Sequence, residues 1–418
     1  MPNRHLLVRI AAVLRTLVLA LAAAAALAAP AGAQAPIDLG PGRGPSLVVD
    51  AAGTAHIAYR SLDVRNATAH SVTYCRLPRG AAACDVRVVL PLPRHPGSVK
   101  IEQRADGALI ILAADSEALW VAASADGGAT FAGPRVLATG QDGAAPAGLS
   151  PDGQGAITLG LTREGTRLWR SPFAGADPRV LALNSASADL APSYDLAVFG
   201  GGRMLTVAES GRGTEWSVFT GGDPLDPNAW PRRGTLRGHD NPVLAAGPRG
   251  VFLLEDRTNT EEILDRKAPF AIRSFDTRRL RWRAPRTLGA DALGQSGAAF
   301  HWWPTADLAQ DARGRLHLAT AARDHRGGEC IQYARTGPRS KQWFGRTTTL
   351  YRTRNKALQP EAPKVAAAPD GRGVIAWHTR TGTLAAEGNV YVMRTRQAKG
   401  RYRAIRDASD RPACGRRR

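Results

Sequence analysis

The sequence has few of the residues that mark a metalloenzyme or a motif-bearing hydrolase. Its 418 residues contain four Cys and nine His, and no C-x-x-C, H-E-x-x-H or G-x-S-x-G pattern and no phosphate-binding Gly loop occurs. These absences exclude the usual forms of zinc-protease, serine-hydrolase and P-loop chemistry. We therefore expect no metal and no cofactor. The sequence leaves open whether the protein is an enzyme, and the missing motifs favour a non-enzyme.

Lysine is scarce as well. Only six of the 56 basic residues are Lys, so Arg dominates the net charge of +20. Arg dominance with abundant Ala and Gly is typical of a GC-rich bacterial genome. The Arg residues are spread along the chain, apart from a run at 416–418. A solvated basic surface explains this spread better than a nucleic-acid interface. We expect no nucleic-acid partner, and a carbohydrate or anionic polymer suits the charge better.

Long apolar runs are absent except at the beginning of the chain. Arg4, Arg9 and Arg15 precede and flank an apolar run over 16–29, and Ala31-Gly32-Ala33 follows it. This order predicts a cleaved signal peptide over residues 1–33, with an uncleaved membrane anchor as the competing interpretation. We expect a secreted protein, extracellular or periplasmic in a bacterium, that does not span the membrane and is a monomer.

The four Cys form an even set in a chain expected to be exported, which predicts two disulfides. Cys75 and Cys84 flank a short turn containing Pro and Gly, so we expect them to pair. Cys330 and Cys414 would then join the C-terminal tail to an earlier strand. Metal binding is the competing interpretation, and no nearby His cluster favours it.

A strand–turn–strand signature recurs about every 50 residues, which is enough for a four-stranded propeller blade. The seven turns are predicted at 50–53, 106–107, 152–153, 200–202, 247–250, 311–314 and 370–373. No amphipathic helix is evident between them. We therefore predict an all-β fold, a single β-propeller of seven four-stranded blades over residues 37–418. A six-bladed ring is the main alternative, and an open array of β-sandwiches would need linkers that the sequence lacks.

One turn carries a longer motif. Ser124, Asp126, Gly128, Thr130 and Phe131 fit the pattern S-x-D-x-G-x-T-F. Ser and Asp side chains close turns by bonding nearby backbone groups, Gly adopts positive φ, and the aromatic residue can fold over the turn. Together with the repeat, this motif resembles the Asp-box (BNR repeat) proteins of the sialidase-like β-propeller superfamily. In that superfamily such turns lie away from the substrate pocket, so the resemblance implies architecture.

The same resemblance sets an expectation for activity. Sialidases of this superfamily hold the substrate carboxylate with three Arg, use a Tyr–Glu nucleophile pair and an Asp acid/base, and carry an early Arg-Ile-Pro motif. Arg9-Ile10 lies in the predicted signal peptide and lacks the Pro, and the mature chain has no such motif. Sialidases are also usually six-bladed. The resemblance therefore implies the fold more strongly than the hydrolase.

Ligands of propellers usually bind where the loops entering each first strand and leaving each second strand surround one mouth of the channel. The candidate residues in these loops are His95, Asp142, His239, Asp240, Asn241, His301, Trp302, Trp303, Glu255, Asp256, Arg257, Arg323, Asp324, His325 and His378. The densest set comes from the fifth and sixth repeats, and there we place the ligand site.

Particular residue types in this set suggest roles. Asp256 and Asp324, with Glu255 as a third candidate, could act as acid and base in glycoside cleavage. Arg257 and Arg323 are suited to bidentate binding of an anionic group. The Trp and His residues over 301–303, His239, Asp240 and His325 could contact a sugar. The competing interpretation is that Arg and Asp of one loop pair with each other and that the Trp residues pack between blades. His56 and His317 occupy matching repeat positions, which indicates packing and not metal ligation.

Two functions of different classes follow. The first is a secreted, non-catalytic propeller that binds a carbohydrate or cell-envelope ligand at its mouth. The second is an exo-α-sialidase-type glycoside hydrolase whose catalytic residues have diverged. A propeller that only scaffolds a protein partner is a weaker third possibility. Fold analogy supports all three and decides none.

Overall fold

The structure is a computed structural model. It describes residues 35–62, 70–140, 144–162, 165–174, 178–183, 193–210, 213–236, 240–256, 270–288, 306–323, 329–337, 344, 348–353, 359–380 and 388–395. The chain divides into two units at 36/37, and every element below belongs to the second. The predicted signal peptide, residues 1–33, lies outside the described ranges. Within those ranges, no helix has the length and apolar character needed to cross a bilayer.

The described part of the chain consists almost entirely of strands. A single 3-10 turn, Pro227–Ala229, is capped by the side chain of Asp226. In chain order the strands are β1 Ile37–Val49, β2 Ala55–Leu62, β3 His70–Leu77, β4 Val86–Leu92, β5 Ser98–Gln103, β6 Leu109–Ala114, β7 Ala118–Ser124, β8 Arg135–Thr139, β9 Ala145–Leu149, β10 Gly155–Thr162, β11 Gly165–Pro172, β12 Arg179–Ala182, β13 Tyr194–Phe199, β14 Arg203–Ser210, β15 Gly213–Phe219, β16 Arg232–Leu236, β17 Asp240–Gly247, β18 Gly250–Asp256, β19 Phe270–Asp276, β20 Arg281–Trp282, β21 Arg286–Leu288, β22 Ala306–Gln310, β23 Leu316–Arg323, β24 Glu329–Arg335, β25 Thr348–Thr353, β26 Gln359–Ala367, β27 Gly373–Arg380 and β28 Asn389–Arg394.

These strands form antiparallel sheets in a β-propeller arrangement. β5–β8, β9–β12, β13–β16 and β22–β25 are four-stranded sheets, and β17–β20 form a fifth in which β21 also pairs with β19. The remaining strands make one seven-stranded sheet in the order β26-β27-β28-β1-β2-β3-β4. The all-β propeller arrangement is thus confirmed. Five sheets stand as separate blades, which differs from the predicted seven and from the alternative of six.

The seven-stranded sheet exists because β1 pairs along both of its edges. Its first half pairs with β28, with Ile37 opposite Val392. Its second half pairs with β2, with Val49 opposite Ala55. The Asn389 amide donates to Asp38 Oδ2 at 2.7 Å beside the first of these pairings. The first and last described strands of the chain are therefore hydrogen-bonded neighbours.

The predicted turns lie at equivalent places in the sheets. Each of the seven falls between the first and second strand of a repeat, for example at 50–53 between β1 and β2 and at 311–314 between β22 and β23. The strands that precede these turns, β1, β5, β9, β13, β17, β22 and β26, each contact the next, and β26 contacts β1. These innermost strands form a closed circle.

The apolar core lies between the sheets. One cluster joins β17–β19 to β22–β24 through residues such as Phe270 and Leu318, and another joins β2 and β3 to β5–β7 through Tyr74 and Ile111. Second strands are consequently buried on both faces. β6, with the sequence LIILAA, is buried throughout, whereas the edge strand β8 is exposed at three of its five positions. Because each sheet covers its neighbours, burial of apolar area links the repeats.

The predicted disulfide between Cys75 and Cys84 is present and joins β3, near its end, to the loop that leads into β4. It closes a short loop in which Cys75 is buried. Cys330, in β24, is also disulfide-bonded. Its predicted partner, Cys414, lies outside the described residues, and that pairing stays a prediction.

We expect the double substitution Cys75→Ser with Cys84→Ser to lower the free energy of unfolding by about 2–3 kcal/mol. A cross-link over a loop of about ten residues removes that much chain entropy from the unfolded state in the loop-closure model. The measurement is the urea midpoint followed by tryptophan fluorescence, with the oxidised wild-type protein as control. Unchanged midpoints would show that the hairpin holds without the cross-link.

Candidate functional site

Most of the side chains predicted at the mouth lie outside the described residues: Asp142, His239, Arg257, His301, Trp302, Trp303, Asp324 and His325. Asp240, Asp256 and Arg323 are described as strand backbone only, at the ends of β17, β18 and β23. Asp240 and Asp256 are register partners, so these two positions are side by side. The roles assigned to all of these residues stay predictions.

Glu255 is the one catalytic candidate whose side chain the structure describes. It lies near the end of β18 and is fully buried. An ion pair joins its carboxylate to Nε of Arg273 on β19. Burying a carboxylate is costly unless a cation and hydrogen bonds compensate, and Arg273 supplies both. This contact gives Glu255 a structural partner within its own sheet.

The Ser124–Phe131 turn connects β7 to β8 and is closed by its own side chains. Ser124 Oγ donates to Asp126 Oδ1 at 2.7 Å and accepts from the Gly128 amide at 2.8 Å. Asp126 also accepts from the Thr130 hydroxyl at 2.6 Å and the Thr130 amide at 3.0 Å. These donors, the Thr130 hydroxyl first, hold the pKa of Asp126 well below its usual range. The carboxylate therefore stays ionised and organises the turn.

Phe131 packs on the preceding sheet as well as closing its own turn. Its ring lies edge-to-face against Tyr74 of β3, with centroids 4.7 Å apart. The Tyr74 hydroxyl lies 2.7 Å from His56 Nδ1, and His56 Nε2 lies 3.3 Å from Asp50 Oδ2. Asp50 begins the turn between β1 and β2. The Ser124–Phe131 turn is thus fixed to the β1–β2 hairpin of the neighbouring sheet. This contact lies at one end of β2 and β3, and Leu62 and His70 lie at the other end.

An equivalent chain of side chains occurs in the β22–β25 sheet. His317 Nε2 lies 3.4 Å from Asp311 Oδ2, and its Nδ1 lies 2.7 Å from the Tyr333 hydroxyl. His56 and His317 are both buried, and burial lowers the pKa of each. The two His residues at matching repeat positions therefore have matching partners, as expected of repeat-packing residues.

A cluster of basic side chains lies at the other end of the sheets, where the mouth is predicted. We call Arg43, Arg60, His95, His378 and Arg380 the cationic cluster. Arg43 Nη2 lies 3.2 Å from His95 Nε2. Arg60, near the end of β2, donates to the carbonyls of residues 97 and 96 at 2.6 and 3.3 Å. The cluster joins β1, β2, the β4–β5 connection and β27.

One carboxylate borders the cationic cluster. Glu361, on β26, has one carboxylate oxygen 3.6 Å from His378 Nε2 and the other 3.6 Å from Arg380 Nη1. Glu361 and His378 are register partners in adjacent strands, and both are buried. The pair forms the inner wall of the cluster. Arg380 remains partly exposed, with 32% of its side chain accessible.

The pKa shifts show how strongly these groups interact. Burial, and then the charges of Arg60, Arg43 and Arg380, lower the pKa of His378 to about 3. Burial and Arg43 lower the pKa of Arg60 to about 9. Burial, Arg43 and Arg60 also lower the pKa of His95. Burial is the largest cause of each shift, and the neighbouring guanidinium charges add to it, so these groups lie close enough to act on one another.

Charged residues also line the innermost strands next to this cluster. Lys100 on β5 lies 3.6 Å from Glu102 and 3.7 Å from Asp195 on β13. Asp195 accepts in addition from the amide of Leu244 on β17 at 2.8 Å. Burial lowers the pKa of Lys100, but Asp195 and Glu102 outweigh it and leave a net rise. Lys100 therefore remains charged and links β5 to β13, which lie on either side of β9 in the closed circle of innermost strands.

A similar cross-link joins β22 to β26. Asp307 lies 3.4 Å from Lys364 Nζ and accepts from the Val365 amide at 2.7 Å. Burial raises the pKa of Asp307 despite these partners. Lys364 is three residues beyond Glu361 on β26. The Asp307–Lys364 pair therefore lies farther from the predicted mouth than the cationic cluster does. We interpret these inner pairs as cross-links between blades.

Sequence reasoning named His95 and His378 as mouth residues but did not single out Arg43, Arg60, Arg380 or Glu361. Position in the repeat offers a signal, because Arg60 and Arg380 lie at or near the ends of second strands and Glu361 lies near the start of a first strand. With 56 basic residues in the chain, residue type alone does not separate these Arg from the others. They converge where β1 lies against β26 and β27, which the repeat pattern does not reveal.

No protein-family model and no curated protein matches this chain. Solved structures that resemble it include a protein of unknown function from Dyadobacter fermentans, with 11% identity, 86% of this chain and 96% of that chain covered, and a TM-score of 0.46. The leech intramolecular trans-sialidase has 9% identity, coverage of 86% and 68%, and a TM-score of 0.46. The NanB sialidase from Streptococcus pneumoniae has 8% identity, coverage of 88% and 69%, and a TM-score of 0.46. We transfer no residue role from them.

Proposed function

We propose that this protein is a secreted, sialidase-like β-propeller that binds an anionic carbohydrate or cell-envelope ligand without cleaving it. The observation that carries the proposal is the cationic cluster, in which Arg43, Arg60 and Arg380 surround His378. The three guanidinium groups all act on one imidazole, that of His378, so their positive charges lie close to one another. A bound anion would relieve their mutual repulsion and accept charge-assisted hydrogen bonds.

The groups divide into contacting and supporting residues. Arg60 is 3% exposed and acts as a fixed positive background, whereas His378 is 4% exposed and uncharged because its pKa is lowered to about 3. Arg43 and His95 are half-buried, and Arg380 is partly exposed, so these three can reach a ligand. Limited solvent around the supporting groups weakens screening of their charge. In this proposal the anionic group binds between Arg43, His95 and Arg380.

We extend the proposal to the architecture and to the rest of the mouth. The closed circle of seven innermost strands supports seven blades, with the seven-stranded sheet as two blades joined through β1. A signal peptide over 1–33, an Asp-box at 124–131, a Cys330–Cys414 disulfide and a monomeric state belong to the same proposal. The opposite wall of the mouth then carries the fifth- and sixth-repeat candidates, namely His239, Asp240, Asp256, Arg257, His301, Trp302, Trp303, Arg323, Asp324 and His325.

A glycan panel tests the binding proposal. We expect the purified protein to bind sialylated, uronic-acid or sulfated glycans and not their neutral counterparts. Arg43→Ala and Arg380→Ala should each weaken binding about tenfold or more, because a charge-assisted hydrogen bond contributes about 1.5–3 kcal/mol. Arg283→Ala is the control, since that side chain is 67% exposed, follows the outer strand β20 and pairs with Asp276. Equal binding of acidic and neutral glycans would contradict the proposal.

An exo-α-sialidase-type hydrolase is the second candidate. The observation that favours it is the presence of three Arg and one carboxylate, Glu361, in one cluster. Hydrolysis of a fluorogenic α-sialoside, measured alongside Asp256→Ala and Asp324→Ala, distinguishes the two. Turnover that either variant abolishes would establish the enzyme and locate its acid or base. No turnover above the blank would remove the sialidase candidate and leave the binder.

A further inference from the structure

The contact between Arg43 and His95 fixes the state of the imidazole. Arg43 Nη2 lies 3.2 Å from His95 Nε2. A guanidinium can only donate, so Nε2 must accept and His95 must be neutral, with its proton on Nδ1. The His95 ring therefore accepts one of the hydrogen bonds that Arg43 could otherwise donate to an anion.

Among the described residues, the charged and titratable groups that act on the pKa of His95 are Arg43, Arg60 and His70, and each lowers it. Arg43 approaches from β1, Arg60 from β2, and the His70 ring from β3, with centroids 5.6 Å apart. Arg60 binds the two carbonyls that follow His95 in the chain, so the backbone there is held in place. On the other side, Arg94 is paired with Glu117 at the surface.

We propose that His95 is a ligand-binding residue of the anion site that takes up one proton from solvent when the anion binds. Arg43 transfers its hydrogen bond from His95 to the anion, Nε2 of His95 accepts the proton, and both side chains then donate to the anion. This inference rests on the proposed function, because it concerns the same site. The site then prefers fully anionic ligands in mildly acidic surroundings.

The sign of the pH dependence follows from the charges. In the free protein, burial and the neighbouring cations keep the pKa of His95 below its ordinary value. A bound anion offsets the cations and raises that pKa. Affinity therefore increases as the pH falls through the pKa of the bound state, and it levels off below the pKa of the free state. A rise of one pKa unit on binding corresponds to about tenfold tighter binding.

Inorganic sulfate is the probe, because it remains a dianion across the pH range of the experiment and contributes no titration of its own. We expect sulfate to bind about tenfold more tightly at about pH 5.5 than at about pH 7.5. Calorimetry in two buffers of different ionisation enthalpy should show uptake of about one proton, and the His95 ring nitrogens should report it by NMR. His95→Gln can still accept from Arg43 but cannot titrate, so its sulfate binding should vary less than about twofold over the same range.

His70→Gln is the matched control, since His70 lies beside His95 without replacing it on Arg43. This variant should keep the pH dependence of the wild-type protein. Sulfate binding without proton uptake, or an unchanged pH dependence in His95→Gln, overturns this inference and leaves the proposed function standing. Failure of sulfate to bind at about pH 5.5, with no response of the His95 nitrogens, overturns both.

Discussion

Replacing Gly128 by Ala is expected to lower the free energy of unfolding by about 3 kcal/mol or more. A Cβ at this position would overlap the Tyr74 hydroxyl and lie 2.9 Å from Tyr74 Cε1. Tyr74 is fully buried and is held by His56 on one side and Phe131 on the other, so it has no room to move. The backbone of Gly128 is also left-handed, at φ +85°. Equilibrium urea unfolding measures the loss.

Gly127→Ala separates the steric cause from the backbone cause. Gly127 is left-handed as well, at φ +65°, but nothing lies within 4 Å of its Cβ direction. We expect this control to cost only about 1 kcal/mol, the strain of placing Ala in that region. Adding Tyr74→Phe to Gly128→Ala should recover part of the loss, because it removes the overlapping hydroxyl. Equal losses in the two Gly variants would contradict packing against Tyr74.

The turns and the first disulfide could be predicted because their causes are local. Asp50 and Gly53 bond within four residues, and Cys75 and Cys84 are nine residues apart. The hydrogen bonds of Asp126 likewise lie within its own turn. Such features depend on sequence spacing alone, so the sequence carries enough information to place them.

The blade count and the cationic cluster depend on contacts between strands that are far apart in the sequence. Blades predicted at the two ends of the chain merge into one sheet because β1 pairs with both β28 and β2. Arg43 and His378, 335 positions apart in the chain, come together where β1 lies against β26 and β27. A periodic pattern gives the number of repeats but not which side chains meet where the ring closes. The density of candidate residues placed the predicted site at the fifth and sixth repeats, whereas the described Arg side chains converge at the first and last.

The contact between the first and last repeats is reinforced by a recurring Arg. Arg335, at the end of β24, donates to the carbonyl of Gly371 in the first turn of the following repeat. Arg394, at the end of β28, does the same to Gly53 at 2.8 Å and also donates to the Leu77 carbonyl at 2.9 Å. In each case the residue after the Arg is a Thr. Its hydroxyl accepts a hydrogen bond from the backbone amide that begins the second strand of its own repeat. An Arg-Thr pair thus links one repeat to the next at two places, and one of them joins the ends of the chain.

Arg394→Met is therefore expected to lower the free energy of unfolding by about 2–4 kcal/mol, because it leaves two buried carbonyls without their charged donor. Met keeps much of the apolar stem, so the loss reports the hydrogen bonds more than the packing. The control is Arg283→Met, whose exposed ion pair with Asp276 should contribute no more than about 0.5 kcal/mol. Both are measured by urea unfolding. If Arg394→Met were as stable as the control, the pairing of β1 with β28 would have to close the ring without help from this side chain.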